Sequence, residues 1–186
     1  MFKTRLISGI VLVLIALLTI CTGNIVLFMT LLAVSLIGTQ ELYKAMKVRE
    51  EHFTLLEIAG YIGIIGYYLC LLLAPEYQLM ELIGALVLLM FVYVFTFPKY
   101  HAEQIMAAMF GIIYVGVMLS FIYQTRCLDG GAYHVWLIFI SSWGCDTCAY
   151  WVGIMMGKHK MTPELSPKKT KEGAVGGILG AALLGA

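Results

Sequence analysis

Long apolar runs separated by short polar segments dominate this chain. Runs poor in charge cover Leu6–Thr22, Ile25–Gln40, Leu55–Ala74, Leu82–Phe97, Ile105–Tyr123 and Tyr133–Met156; a seventh begins near Gly173 and is still running at Ala186. A helix that crosses a hydrocarbon layer about 30 Å thick needs roughly 20 mostly apolar residues. Lipid offers the backbone no hydrogen-bond partner, which favours helices. The pattern predicts an all-α, polytopic transmembrane bundle with six complete spans and a truncated seventh. Lys3 and Arg5 precede the first run as they would in a signal peptide. The second run follows after only Gly23–Asn24, however, so the two read as a helical hairpin.

Composition agrees with this class. Of 186 residues 61% are hydrophobic and 12% charged, with mean hydropathy +0.92, whereas about a quarter of a soluble domain is charged. A net charge of +1 gives no basic field, so nucleic acid is not an expected partner. The placement of the charges says more. Lys3, Arg5, Lys44, Lys47, Arg49, Lys99, Lys158, Lys160, Lys168, Lys169 and Lys171 fall on one set of loops, and only Arg126 on the other. Lys and Arg concentrate on the cytoplasmic side. The N-terminus and the Lys158–Glu172 loop are therefore expected to face the cytoplasm.

Polar residues inside the apolar runs mark the candidate chemistry. Of the two aspartates, Asp129 sits beside Gly130–Gly131 and reads as a solvated turn residue, whereas Asp146 lies well inside Trp136–Met156. A carboxylate at such depth costs about 2.5–3.5 kcal/mol on insertion scales and normally faces a cavity, a partner or an ion. At helical spacing Ser142, Asp146, Tyr150, Gly153 and Gly157 share one face, which reads as one wall of a polar pocket or as a small-residue helix contact. The loop that follows holds Lys158, Lys160, Lys168, Lys169 and Lys171 and opens into Gly173–Gly177. Lysines, hydroxyls and a helix N-terminus suit phosphate; a loop touching anionic lipid has the same composition. Cys145 and Cys148 form a C-x-x-C, half of a four-ligand zinc site. The pair reads as a redox or metal pair or as packing; no second Cys or His pair completes a site, and four of the five cysteines lie in or at the ends of apolar runs, where free Cys packs as a small hydrophobe.

Three segments carry a resemblance. They are Ser142-Trp143-Gly144-Cys145-Asp146-Thr147-Cys148-Ala149-Tyr150, then Gly157-Lys158-His159-Lys160, then Ser166-Pro167-Lys168-Lys169-Thr170-Lys171-Glu172-Gly173 with Gly176-Gly177. Together they resemble the bacterial phosphatidate cytidylyltransferases, and the opening Met1–Gly9 looks similar to the start of such proteins. The resemblance implies CTP and phosphatidate as substrates, CDP-diacylglycerol and pyrophosphate as products, and Mg²⁺ or another divalent cation as cofactor. It places the work at the cytoplasmic face of a multi-pass protein of the bacterial cell membrane. It implies Asp146 and Lys169 as catalytic residues, with Asp146 on the metal. Ser142, Tyr150, Lys158, Lys160, Ser166, Lys168, Thr170 and Glu172 would bind substrate, Glu172 by holding metal, orienting Lys169 or capping the next helix. On this reading residues 1–132 are N-terminal membrane helices and 133–186 begin the catalytic region. Family members carry a further C-terminal Asp-Arg-x-Asp signature absent from this chain. The 186-residue chain is therefore expected to lack part of the site and to be inactive alone. A CTP-dependent polyprenol-type lipid kinase, a non-catalytic membrane subunit and a small ion-coupled transporter are the rival readings. Glycine-rich stretches such as Gly60–Gly66 permit close helix contact, including a homodimer.

Overall fold

The computed structural model describes the backbone of residues 2–48, 53–164 and 166–186, and side chains from Val11 onward. Arg49, the side chains of Lys3 and Arg5, and the Met1–Gly9 side chains of the resemblance lie outside the described residues. The chain divides into two compact units, one ending at Gln124 and one beginning at Thr125.

The first unit is helical. Its elements are α1 (Phe2–Thr22), α2 (Asn24–Ala45), α3 (Leu55–Leu73), α4 (Gln78–Thr96), α5 (Ala102–Gly111) and α6 (Met118–Arg126), the last crossing the boundary. A π turn, Ile112–Val117, joins α5 to α6 without a break. The turn between α1 and α2 is tight because Gly23 takes a positive φ of 63°. Thr54 starts α3 by accepting the Glu57 N–H at 3.1 Å, and Ala74-Pro75 ends it. Among the described residues four stretches are long and apolar enough to cross a membrane: Asn24–Ala45, Leu55–Leu73, Pro75–Thr96 and Ala102–Arg126. Large apolar side chains such as Leu73, Phe95 and Leu79 point outward, a surface suited to lipid rather than water.

Lipid tails are as apolar as leucine, so such helices are held by close packing and hydrogen bonds rather than by burial from water. The core of the unit shows both. Tyr43 is fully buried; its ring lies against Gly60 of α3 and Gly111 of α5, and its hydroxyl donates to the Ala108 carbonyl at 2.8 Å. A side chain at either glycine would collide with that ring. Gly63 receives Ile112 and Gly66 receives Glu81, so the close contacts permitted by Gly60–Gly66 are made within the chain. Phe28 packs edge-on against Tyr68 and Tyr123, and the Tyr68 hydroxyl pairs with Ser35 at 2.8 Å. Tyr67, Gln78, Ser120 and Gln124 form a second polar cluster. Glu57 is fully buried in α3, and its Oε1 accepts the Tyr61 hydroxyl at 2.6 Å.

The second unit holds α7 (Gly131–Met156), β1 (Lys160–Thr162), β2 (Ser166–Thr170) and α8 (Lys171–Gly185). Gly130, at φ 72°, makes the left-handed step into α7. Ser141, Ser142, Asp146 and Thr147 make α7 less apolar than the four stretches above, and it is not among them.

The helix limits depart from the apolar runs where polar residues continue a helix. α2 extends five residues past Gln40 because Glu41–Ala45 keep helical hydrogen bonding and bury Tyr43. α8 starts at Lys171, two residues before the apolar run, because Thr170 caps it there. The Ser166–Thr170 segment, expected to be loop, is a strand.

Candidate functional site

Within the second unit the site is built on the contact between α7 and α8. Gly173, Gly176, Gly177 and Gly180 recur at helical spacing and form one face of α8. A Cβ at Gly173 would fall 2.8 Å from the Ala149 carbonyl, one at Gly176 2.5–2.7 Å from Val152, and one at Gly177 2.9 Å from the Cys145 carbonyl. Gly180 lies against Cys148. Small residues let two backbones approach closely, and here α7 supplies Cys145, Cys148, Ala149, Val152 and Gly153. The two cysteines are free thiols packed into this contact. The glycines at the start of α8, one candidate cradle for phosphate, therefore face α7, and the Gly173 N–H is taken by Thr170 Oγ1 at 3.2 Å.

Asp146, Ser142 and Tyr150 lie on the flank of that contact and are exposed. Among the described residues Asp146 makes no hydrogen bond or ion pair, so both carboxylate oxygens are open. The lower half of the same face is used differently. A Cβ at Gly153 would stand 3.2 Å from Thr170 Oγ1, and one at Gly157 2.8 Å from it. Thr170, buried at the end of β2, therefore fills the notch that these glycines leave. Asp146 sits about 10 Å along α7 from Gly153, seven residues at about 1.5 Å each.

Beyond α7 the chain makes an antiparallel two-stranded hairpin. Lys160 pairs with Thr170 and Thr162 with Ser166. Between those pairs β1 has only Met161, whereas β2 has Pro167, Lys168 and Lys169, so β2 bulges. A bulge admits proline and re-aims side chains. Lys158, Lys160, Lys168 and Lys169 are exposed, and Ser166 is half-buried.

Glu172 and His159 close the loop. Glu172 Oε2 accepts the Lys158 N–H at 3.1 Å and the His159 N–H at 3.2 Å. Glu172 Oε1 lies 2.6 Å from His159 Nδ1, and the Lys171 N–H returns to the His159 carbonyl at 2.9 Å. An ionised carboxylate only accepts, so Nδ1 carries the proton. The His159 ring first, and backbone N–H groups after it, hold the Glu172 carboxyl down to about 2 from its ordinary 4.5. Both Glu172 carboxylate oxygens are engaged with the Lys158–His159 turn, and His159, whose role no sequence motif singles out, supplies the ring.

Among the described residues no three His, Cys, Asp or Glu side chains cluster. Mg²⁺ commonly takes one or two carboxylates and completes its shell with water and substrate phosphates. One open carboxylate at Asp146 fits that mode and does not make a protein-only cage. Asp129 is exposed in the turn before α7, as a solvated residue should be. In the first unit a groove of about 430 Å³, lined by Leu86, Met90, Ile105, Met109 and Phe110 among others, is almost wholly apolar.

The sequence matches the cytidylyltransferase family model over residues 3–186, which takes in nearly all of the first unit and the whole of the second. The chain belongs to the cytidylyltransferase family. It is similar to the phosphatidate cytidylyltransferase of Staphylococcus epidermidis, 30% identical over 185 residues, covering 95% of this chain and 68% of the relative. The phosphatidate cytidylyltransferase of Staphylococcus aureus is 29% identical over 182 residues, covering 95% and 67%. That of Staphylococcus saprophyticus is 28% identical over 183 residues, covering 95% and 68%.

Proposed function

We propose that this cytidylyltransferase makes CDP-diacylglycerol and pyrophosphate from CTP and phosphatidate. Membership of the family, with relatives named for that substrate, carries the reading. The second unit supplies compatible chemistry: an open carboxylate on a membrane helix, followed by a lysine-bearing hairpin at that helix's end.

In the reaction a phosphate oxygen of phosphatidate attacks the α-phosphorus of CTP. A new P–O bond forms, the α–β bridging P–O bond breaks, and its electron pair leaves on pyrophosphate. The protein's task in such a transfer is positioning and neutralisation of charge. Asp146 would hold a divalent cation, Mg²⁺ in this proposal, through its open oxygens. When bound, that cation would neutralise the triphosphate and the leaving group. Lys169 meets charge that builds on the phosphates as the bond breaks. Lys158, Lys160 and Lys168 attract the nucleotide and Ser166 offers a hydroxyl, while Thr170, expected to bind substrate, is buried against α7 and caps α8 instead. Ser142 and Tyr150 line the approach beside Asp146. Glu172 sets the turn that carries Lys158.

In this reading the chain makes six complete crossings of the bacterial cell membrane and begins a seventh, with the N-terminus and hairpin in the cytoplasm. The eleven-to-one placement of Lys and Arg supports that orientation. A lipid phosphate at the interface and a soluble nucleotide then meet at one level.

The test is formation of CDP-lipid by the 186-residue chain and by a C-terminally extended form, with CTP, phosphatidate and Mg²⁺ in mixed micelles. Asp146→Asn should lower turnover to about 1% or less without changing membrane insertion. Near-normal turnover in that variant removes the metal role. A lipid monophosphate with CDP as products identifies a kinase instead. Metal-dependent product from the shorter form overturns the expectation that this chain is inactive alone.

A further inference from the structure

The hairpin is poorly anchored by its own residues. β1 is exposed throughout, and β2 buries only Thr170 at its end. Isolated two-stranded hairpins are marginal in water, and among the described residues this one buries no apolar side chain. Thr170 seats the end of β2 against α7 and caps α8; the residues at the start of β1 are tied to the helices by the bonds around Glu172. The carboxylate gathers the Lys158 and His159 N–H groups and the His159 ring, and the His159 carbonyl takes the Lys171 N–H. These bonds tie the residues just after α7 to the first turn of α8. The His159 side chain is 74% exposed, so packing does not fix its ring; the bond to Glu172 does.

We infer that His159 and Glu172 are a pair of positioning residues that hold the lysine hairpin over the end of α7, in the place where Lys160, Lys168 and Lys169 meet the triphosphate of a nucleotide. The role in nucleotide binding rests on the cytidylyl-transfer reading above; the clamp itself rests on the bonds. The pair touches no reacting atom. It acts by shortening the search of three long cationic side chains for one geometry, since an unanchored hairpin would have to be ordered when nucleotide binds. The inference separates His159 from the lysines around it: its ring is a fastener, not a ligand of phosphate.

Asparagine at 159 keeps an N–H donor near the place of Nδ1, while alanine keeps none. The experiment compares His159→Ala, His159→Asn and Glu172→Ala with the parent protein in micelles. Tryptic cleavage after Lys158, Lys160, Lys168 and Lys169 reads hairpin order without reference to activity. The dissociation constant of CTP with Mg²⁺, or KM for CTP where turnover is seen, is measured per folded molecule. Cleavage should speed up in both alanine variants and return toward the parent rate in His159→Asn. CTP affinity should fall about tenfold in the alanine variants, the weight of one charge-assisted bond, and recover in His159→Asn. A merely structural role would lower the folded fraction and leave the constant unchanged. Unchanged cleavage in both alanine variants overturns the clamp. Equal loss of CTP affinity in His159→Ala and His159→Asn overturns it as well, because the ring itself would then be the contact. Cleavage that follows the predicted order with no CTP binding in any form upholds the clamp and sinks the nucleotide reading.

Discussion

Gly176→Ala would set a methyl group against Val152. The added Cβ would lie 2.5–2.7 Å from Val152 Cβ, Cγ1 and Cγ2, whereas carbon atoms pack at about 3.5–4.0 Å. The overlap is thus about 1 Å on three atoms at once. None of the three is the far end of a flexible chain, and valine in a helix has one strongly preferred rotamer, so α8 must back away from α7. Overpacking of this kind costs about 1–3 kcal/mol. Alanine's better helix propensity returns up to about 1 kcal/mol, so the single variant alone is a blunt test. A double-mutant cycle with Val152→Gly removes the propensity term and isolates the overlap. Gly176→Ala should cost about 1–3 kcal/mol more in the parent than in the Val152→Gly background. Trp136, Trp143 and Trp151 all lie in α7, so tryptophan emission during SDS unfolding in mixed micelles reports on this unit. A coupling below about 0.5 kcal/mol, the limit for independent sites, would refute the reasoning.

Thr170→Val keeps the shape that fills the notch at Gly157 but removes the oxygen that accepts the Gly173 N–H. It should cost about 1 kcal/mol by the same emission assay, and Thr170→Ser should recover most of it. Tyr68→Phe leaves the buried Ser35 hydroxyl without its partner and should cost about 0.6–1.7 kcal/mol, the range for hydrogen bonds between membrane helices; Ser35→Ala in addition should cost little more. The Glu172 carboxyl is held below its unfolded value, so its contribution to the clamp is complete above about pH 4.5 and fades as the pH falls toward about 2. A carboxyl-carbon NMR titration should place its midpoint near 2, and His159→Ala should move that midpoint up; a midpoint near 4.5 in the parent protein would contradict the bond geometry.

Apolar runs made most of the helices legible, because a lipid-facing helix has to be apolar over its whole length. They were sharpest at α3, where Thr54 and Pro75 punctuate the ends. They failed at the end of α2, where Glu41–Ala45 stay helical because Tyr43 is needed in the core. The hairpin was not legible: its residues are mostly polar, its few apolar ones mark no strand period, and its strands pair across a bulge. The glycine face of α8 was readable in principle, since Gly173, Gly176, Gly177 and Gly180 keep helical spacing. Their closeness to a phosphate-like loop suggested a cradle, and contact with α7 claims them instead. The stripe through Ser142, Asp146 and Tyr150 kept its place on one face. Its continuation through Gly153 and Gly157 became a seat for Thr170, a long-range contact that spacing alone does not encode.

The π turn at Ile112–Val117 sets the phase of the α6 residues that follow it in the first unit. It accommodates one residue more than an α-helix would, so α6 is rotated by about 100° relative to an uninterrupted continuation of α5. That rotation lets Ala108 face Tyr43 on one side of the turn while Ser120 and Gln124 face Tyr67 on the other. Deleting a single residue from the turn would therefore leave the span long enough for a membrane, yet swing the Ser120–Gln124 pair away from its partner. In this helix the count of residues, rather than their polarity, decides which side chains meet.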